Sequence, residues 1–306
     1  MPARARSVFP LVPRYRVAGL PLGGSASLRR GHGSDVAGSR AYVRGDPVAT
    51  IDWRASARLS TARGRPEFVV RERYAEESPH VVVLRDRRPA MRLYESPFPW
   101  LAKPATVEAA IAAIGASAEA VNAPVVYLDH SGGDPYWLPA GRGIAEQMEA
   151  RGRRSADTAP PDAVRRGLEF LGRHRSGLSS GTFVFVLSDF LGTPVPDSMW
   201  LTIAARRWEA VPVVVQDRRW EQSFPPVASL VLPLVDPETG ARVDVRLSRR
   251  GVRERRELNE RRRRDLLTGF ARLGLDSVLL DSSDPDEIHR RFLEWASRRR
   301  RFGARR

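Results

Sequence analysis

The chain has 306 residues, 42% of them hydrophobic and 28% charged, enough apolar side chain for a sizeable core. It contains no cysteine, which excludes a disulfide framework, a thiolate metal site and a cysteine nucleophile. The formal net charge is +15, with Lys103 the one lysine and arginine at every other Lys/Arg position. Nucleic acid, anionic membrane and acidic protein surfaces are therefore candidate partners, set against a coding bias that writes arginine wherever a solvated cation is tolerated.

Residues 1–78 read as a β-rich N-terminal region. Glycine and serine crowd Gly23 to Ser39, and Phe68 to Tyr74 has the pattern of a strand. From residue 79 to 301 strands and helices alternate. Val81–Leu84 is an apolar run ending at Asp86, and Val107, Ile111, Ile114, Ala118 and Val121 recur at helical spacing. Val125–Leu128 is a second strand, and Pro161-Asp162 opens a helix carrying Val164, Leu168 and Leu171. Phe183–Leu187 is the clearest buried strand, ending at Ser188-Asp189. Asp197–Trp208 is expected to be helical and Val211–Val215 extended.

At about 228–274 a hairpin and a charged helix interrupt the alternation. Leu230–Leu234 and Val243–Leu247 flank the turn sequence Asp236-Pro237-Glu238-Thr239-Gly240, and Val252–Leu273 follows as helix. Strand Ser277–Leu280 and a last helix capped by Asp284 close the domain. That helix carries Ile288, Phe292, Trp295 and Ala296 on one face, and residues 302–306 form a basic tail. Alternating strands and helices predict an α/β fold with a mostly parallel sheet covered on both faces. No apolar run approaches the roughly 18 residues of a membrane span, so the chain is expected to be cytoplasmic.

Ser39 to Arg58 resembles the signature of the domain of unknown function 58 family, roughly R-x-Y-x-x-G-D-x-x-R-x-I-D-W-x-x-[ST]-A-R. The matching positions are Arg40, Tyr42, Gly45, Asp46, Ile51, Asp52, Trp53 and Arg58, while Ala49 stands where the family usually has arginine. The resemblance covers nearly the whole chain. It implies a von Willebrand factor A-like (Rossmann-like) fold with a β-rich N-terminal appendage and an inserted hairpin. It also implies an association with MoxR-type AAA+ ATPases, with no enzymatic activity established for the family. Many relatives carry two membrane helices ahead of the signature, which this chain is expected to lack. Trp53 is expected to be buried as the joint between appendage and α/β core.

In a von Willebrand A domain the metal-ion-dependent adhesion site reads Asp-x-Ser-x-Ser after the first strand, with a threonine and a later aspartate completing it. The corresponding residues here are Asp86, Arg88 and Ala90, with Thr158 the weaker candidate for the threonine and Asp189 for the last carboxylate. Mg²⁺ wants hard oxygen ligands, and both serine hydroxyls are gone. The site is thus expected to bind no metal, and no cofactor is expected. Asp86 and Asp189 are then either polar residues satisfied by backbone amides, or carboxylates bridged by the Arg88 guanidinium as a tethered cation. Gly31 to Gly38 fails the dinucleotide fingerprint, the five histidines lack metal spacing, and no Gly-x-Ser-x-Gly elbow occurs.

The expected function is a non-enzymatic protein-interaction adaptor for a MoxR-type AAA+ ATPase. Asp86, Arg87, Arg88, Ser188 and Asp189 form the expected partner-binding edge. The alternatives are a metal-dependent adhesion-type ligand binder and an arginine-rich binder of nucleic acid or anionic membrane. No specific nucleic acid is expected, while the arginine-rich C-terminus offers a peripheral membrane contact.

Overall fold

The computed structural model describes residues 8–14, 30–43, 48, 51–74, 79–94, 102–131, 134–140, 147–148, 151, 159–173 and 177–303. The chain forms two compact units. One is Pro13–Pro79; the other joins the N-terminal segment up to Val12 with His80–Arg306. The N-terminal region expected as 1–78 is thus divided, residues 8–12 belonging to the α/β unit.

In the first unit β1 (Arg30–Ala41) pairs antiparallel with β2 (Val69–Tyr74), with register breaks between Gly31, Val36 and Gly38. Between them lies α1 (Trp53–Arg63), a helix that the hydrophobic period did not announce because it buries little. Polar contacts fix it instead. Asp52 caps it, its Oδ1 accepting from Ala55 N at 3.0 Å, and Gly64 ends it with φ 63°. The Ser56 hydroxyl donates to Asp52 O at 2.7 Å and accepts from Val69 N at 2.9 Å, tying α1 to β2.

The second unit carries a six-stranded sheet of order β10-β7-β6-β3-β4-β5. Its strands are β3 (Val81–Arg85), β4 (Val125–His130), β5 (Pro135–Leu138), β6 (Phe183–Ser188), β7 (Glu209–Val215) and β10 (Val278–Leu280). All pairings are parallel except β4–β5, an edge strand the sequence reading missed. The helices are α2 (Lys103–Glu119), α3 (Ala163–Arg173), α4 (Asp197–Ala205), α5 (Arg249–Arg272) and α6 (Pro285–Gly303). The α4 helix stops short of Trp208, which the sequence reading had included.

Alternate residues of β3 enter opposite cores. Val81 and Val83 join a core containing α2 and α6; Val82 and Leu84 join one containing α3, α4 and Phe270 of α5. Phe9 and Leu11 complete the first core. Phe9 stacks on Phe292 with centroids 4.4 Å apart, and its N–H donates to Ser117 Oγ at 2.9 Å. Strands β8 (Leu230–Val235) and β9 (Arg242–Leu247) form a separate antiparallel hairpin. Its root packs on Phe224 and Val252, with Trp220 at the edge. No helix among the described residues is long and apolar enough to cross a membrane.

Candidate functional site

The sheet's carboxyl edge brings Asp86 from the end of β3 beside Ser188 and Asp189 at the end of β6, because those strands are neighbours in register. Arg88, two residues beyond Asp86, turns its guanidinium back between the carboxylates. Its Nε donates to Asp86 Oδ2 at 3.0 Å and its Nη2 to the same oxygen at 2.7 Å, while Nη2 also donates to Asp189 Oδ1. Ser188 Oγ donates to Asp86 Oδ2 at 2.6 Å, and the Arg88 N–H to Asp86 Oδ1 at 2.9 Å. Of the two alternatives the sequence left open, the tethered cation describes this geometry. A Cβ on Gly192 would lie 2.2 Å from Arg88 Nη1, so only glycine leaves the guanidinium its place.

A second built-in cation stands beside the first. Lys103, the first residue of α2, is fully buried, and its Nζ donates to Asp189 Oδ2 at 2.9 Å, Glu221 Oε1 at 2.5 Å and Ala90 O at 3.2 Å. Three acceptors match in number the three donors of an ammonium. Gln216 at the end of β7 anchors Asp189 O at 2.6 Å, and Glu221 Oε2 accepts from Asp217 N at 2.8 Å. Phe190, directly after Asp189, holds φ 53°, and Tyr94, whose ring lies 5.9 Å from Lys103 Nζ, holds φ 65°. Left-handed backbone at two aromatic residues concentrates strain around this cluster.

The electrostatics follow from burial and pairing. Burial works against the Lys103 charge, but Asp189 and Glu221 outweigh it and hold its pKa above the ordinary lysine value. Burial likewise opposes ionised Asp189, and Lys103 with Arg88 overcomes it, lowering that pKa. For Glu221 burial wins over Lys103 and raises the carboxyl's pKa. Glu238, at the hairpin tip, comes within 3.9 Å of Arg88 Nη1; burial raises its pKa against the opposing pull of Arg88.

Arg87 points the other way. Its Nη1 donates to Asp129 Oδ2 at 3.3 Å, and Arg151 donates to both Asp129 oxygens at 3.1 Å. Tyr127 and Ser131 complete the shell around Asp129, each at 2.9 Å, and the Arg151 guanidinium lies 4.2 Å from the Tyr136 ring centroid.

The expected partner-binding edge is thereby corrected. Asp86, Arg88, Ser188 and Asp189 are between 0% and 4% exposed, spent on one another, and Arg87 is committed to Asp129. Exposed residues around them, such as Arg92 and Thr193, form the outer rim. Ala90 contributes its backbone oxygen to Lys103. Thr158 lies outside the described residues, as do Gly45 and Asp46. The other signature residues stay in the first unit. Arg40 Nη1 donates to Ala41 O at 3.0 Å, and the Tyr42 ring meets the Phe68 edge with centroids 6.3 Å apart. Ile51 bridges to Val70, Asp52 caps α1, and Arg58 is exposed on it. Trp53 is 60% exposed, its ring meeting Phe68 of the same unit at 6.1 Å, so it is not buried as expected.

Sequence reasoning missed Lys103 and Glu221. The available signal was composition: a lone lysine in a chain that otherwise writes arginine marks a position where an ammonium is required. A divalent cation does not fit here. Arg88 and Lys103 already fill the space between the carboxylates and use the oxygens a metal would need.

A family profile described as "Protein of unknown function DUF58" matches residues 38–265, more than half of the chain, and the chain belongs to this family. No curated protein matches it. Among solved structures it is similar to the conserved hypothetical protein BatB from Bacteroides thetaiotaomicron, at 14% identity and a TM-score of 0.39, covering 72% of this chain and 100% of that one. It is also similar to an aerotolerance-related membrane protein from Bacteroides fragilis carrying multiple mutations to serines, at 10% identity and a TM-score of 0.42, with 72% and 100% covered.

Proposed function

We propose that this chain is a non-enzymatic adaptor with a von Willebrand factor A-like α/β unit, working in the cytoplasm with a MoxR-type AAA+ ATPase. The observation that carries the reading is the pair of cations built into the carboxylate edge, Arg88 and Lys103 around Asp189. Side chains committed to one another in this way are poorly placed to move protons or attack a substrate, but they hold the surrounding loops in one arrangement. A fixed edge of loops suits recognition of a protein partner. The metal-dependent adhesion reading is disfavoured by the same two side chains.

The test is a pull-down with the cognate MoxR-type ATPase in the presence of ATP, ADP or neither. Reversing Asp189 or Arg88 would be a folding lesion, given their burial. The informative variants are therefore Arg92→Glu and Thr193→Glu on the exposed rim. Retention of the ATPase by the wild type, weakened in both variants at unchanged melting temperature, supports the adaptor reading. Absence of a complex under every nucleotide condition removes its support.

A further inference from the structure

We propose that the tip of the β8–β9 hairpin is a displaceable carboxylate cap over Arg88, and that the ligand which displaces it is a carboxylate on an acidic segment of a partner protein. The guanidinium has five N–H donors. Those on Nε and Nη2 are spent on Asp86 and Asp189. Nη1 makes no hydrogen bond among the described residues; what faces it is Glu238 Oε1 at 3.9 Å, an ion contact too long for one. The one open edge of a buried cation is therefore covered by a carboxylate that does not close on it.

The cap sits on an arm suited to moving. Its root is packed, with Leu247 buried against Val252 and Phe224. The cross-strand ladder then runs out of cover: Leu234 is 37%, Val235 54% and Val243 58% exposed. The tip keeps its own shape, because Asp236 accepts from Glu238 N at 2.8 Å and from Thr239 Oγ1 at 2.9 Å. A preformed turn on a sparsely packed arm can swing away without remaking the turn.

The ligand class follows from charge. Asp86 and Asp189 already neutralise Arg88, so Glu238 approaches two like charges and is held weakly. Exchanging Glu238 for a partner's carboxylate leaves the local charge unchanged, while the protein's +15 attracts an acidic segment from a distance. The inference rests on reading this edge as the partner face, but its test needs no ATPase, so failure of the pull-down and failure here are separate results.

The chain has no cysteine, so Ala241→Cys, at an exposed position beside the turn, carries a single environment-sensitive dye. Hexaglutamate should shift the dye signal saturably and hexaglutamine should not. Isothermal titration should show hexaglutamate binding about tenfold tighter to Glu238→Gln than to the wild type, since an arm already released no longer subtracts from affinity, and the dye in that variant should start near its ligand-bound signal. Hexaglutamate binding to the wild type that leaves the dye unmoved would overturn the proposal, placing the peptide on the arginine surface instead. Equal affinity for wild type and Glu238→Gln would overturn it too. A DNA duplex that moves the dye with the same dependence on Glu238 would overturn the assigned ligand class.

Discussion

Lys103 Nζ lies 2.9 Å from Asp189 Oδ2, and neither side chain reaches solvent. Since Asp189 Oδ1 also accepts from Arg88, one carboxylate joins two cations and couples β6, the loop after β3 and the start of α2. Lys103→Met keeps the volume and removes the charge, leaving Glu221 and half of Asp189 without their partner. Breaking a buried pair from one side costs about 3–5 kcal/mol. Urea denaturation should show that loss, and adding Glu221→Gln should recover part of it, the mark of a direct coupling. A Lys103→Met protein as stable as the wild type would mean that the ammonium is dispensable.

The same residue reports its own burial. Lys103 is the one lysine in the chain and is fully buried. An amine-reactive reagent should leave it unmodified in the native protein and modify it in urea, read by peptide mapping. Rapid native labelling would show that the site opens without help.

The sheet was legible because β3, β6 and β7 are runs of valine, leucine and phenylalanine bounded by polar residues, and such runs become strands covered on both faces. The meeting of Asp86 and Asp189 followed from their places at strand ends. Other features carry no periodic signal. The α1 helix buries only Ser56 and depends on a cap, and β5 is four half-buried residues. Phe9 and Leu11 are two apolar residues in a proline-flanked segment, and only the tertiary fold shows that they fill a core. Lys103 and Glu221 are 118 positions apart, and no local spacing announces their contact.

Two aromatic residues test the burial seen in the structure: Trp53, which was expected to be buried and is not, and Phe9, which the sequence did not single out. Trp53 is 60% exposed with one ring contact, so Trp53→Ala should cost about 1 kcal/mol or less. Phe9 is 1% exposed and packs on Phe185, Phe292 and Trp295, so Phe9→Ala should cost about 3–5 kcal/mol. Denaturation midpoints decide between them; the reverse ranking would contradict the assignment of the N-terminal segment to the α/β core.

Divalent cations offer a further check. Isothermal titration of the wild type with Mg²⁺ or Mn²⁺ should give no stoichiometric heat, and melting temperature should be the same with magnesium or a chelator. Replacing Arg88 and Ala90 by serine introduces two hydroxyls but leaves Lys103 beside Asp189, so the double variant should still bind weakly. Adding Lys103→Ala should then raise its affinity. A micromolar site in the wild type would contradict the reading that Arg88 and Lys103 leave no room for a divalent cation.

The buried carboxylates Asp129, Asp189 and Glu221 predict opposite pH dependences. Burial opposes ionised Asp129, but Arg151, Ser131 and Arg87 overcome it, and its folded pKa lies below the ordinary 3.8. The unfolded chain therefore takes up this proton first as pH falls. The stability Asp129 contributes is fully present above 3.8 and is lost as pH drops through its lower folded value. Asp189 has the same sign. Glu221 has the other: burial raises its folded pKa above 4.5, so its contribution is present below 4.5 and declines as pH rises through the folded value. Denaturation midpoints from about pH 2 to about pH 8 separate the two. In Asp129→Asn the acid-side fall in stability should be shallower than in the wild type. In Glu221→Gln the change should lie above pH 4.5, where the wild type loses stability relative to a variant that cannot ionise. Superimposable pH profiles for Glu221→Gln and the wild type would mean that Lys103 holds Glu221 ionised at its ordinary pKa, and that burial does not govern this carboxyl.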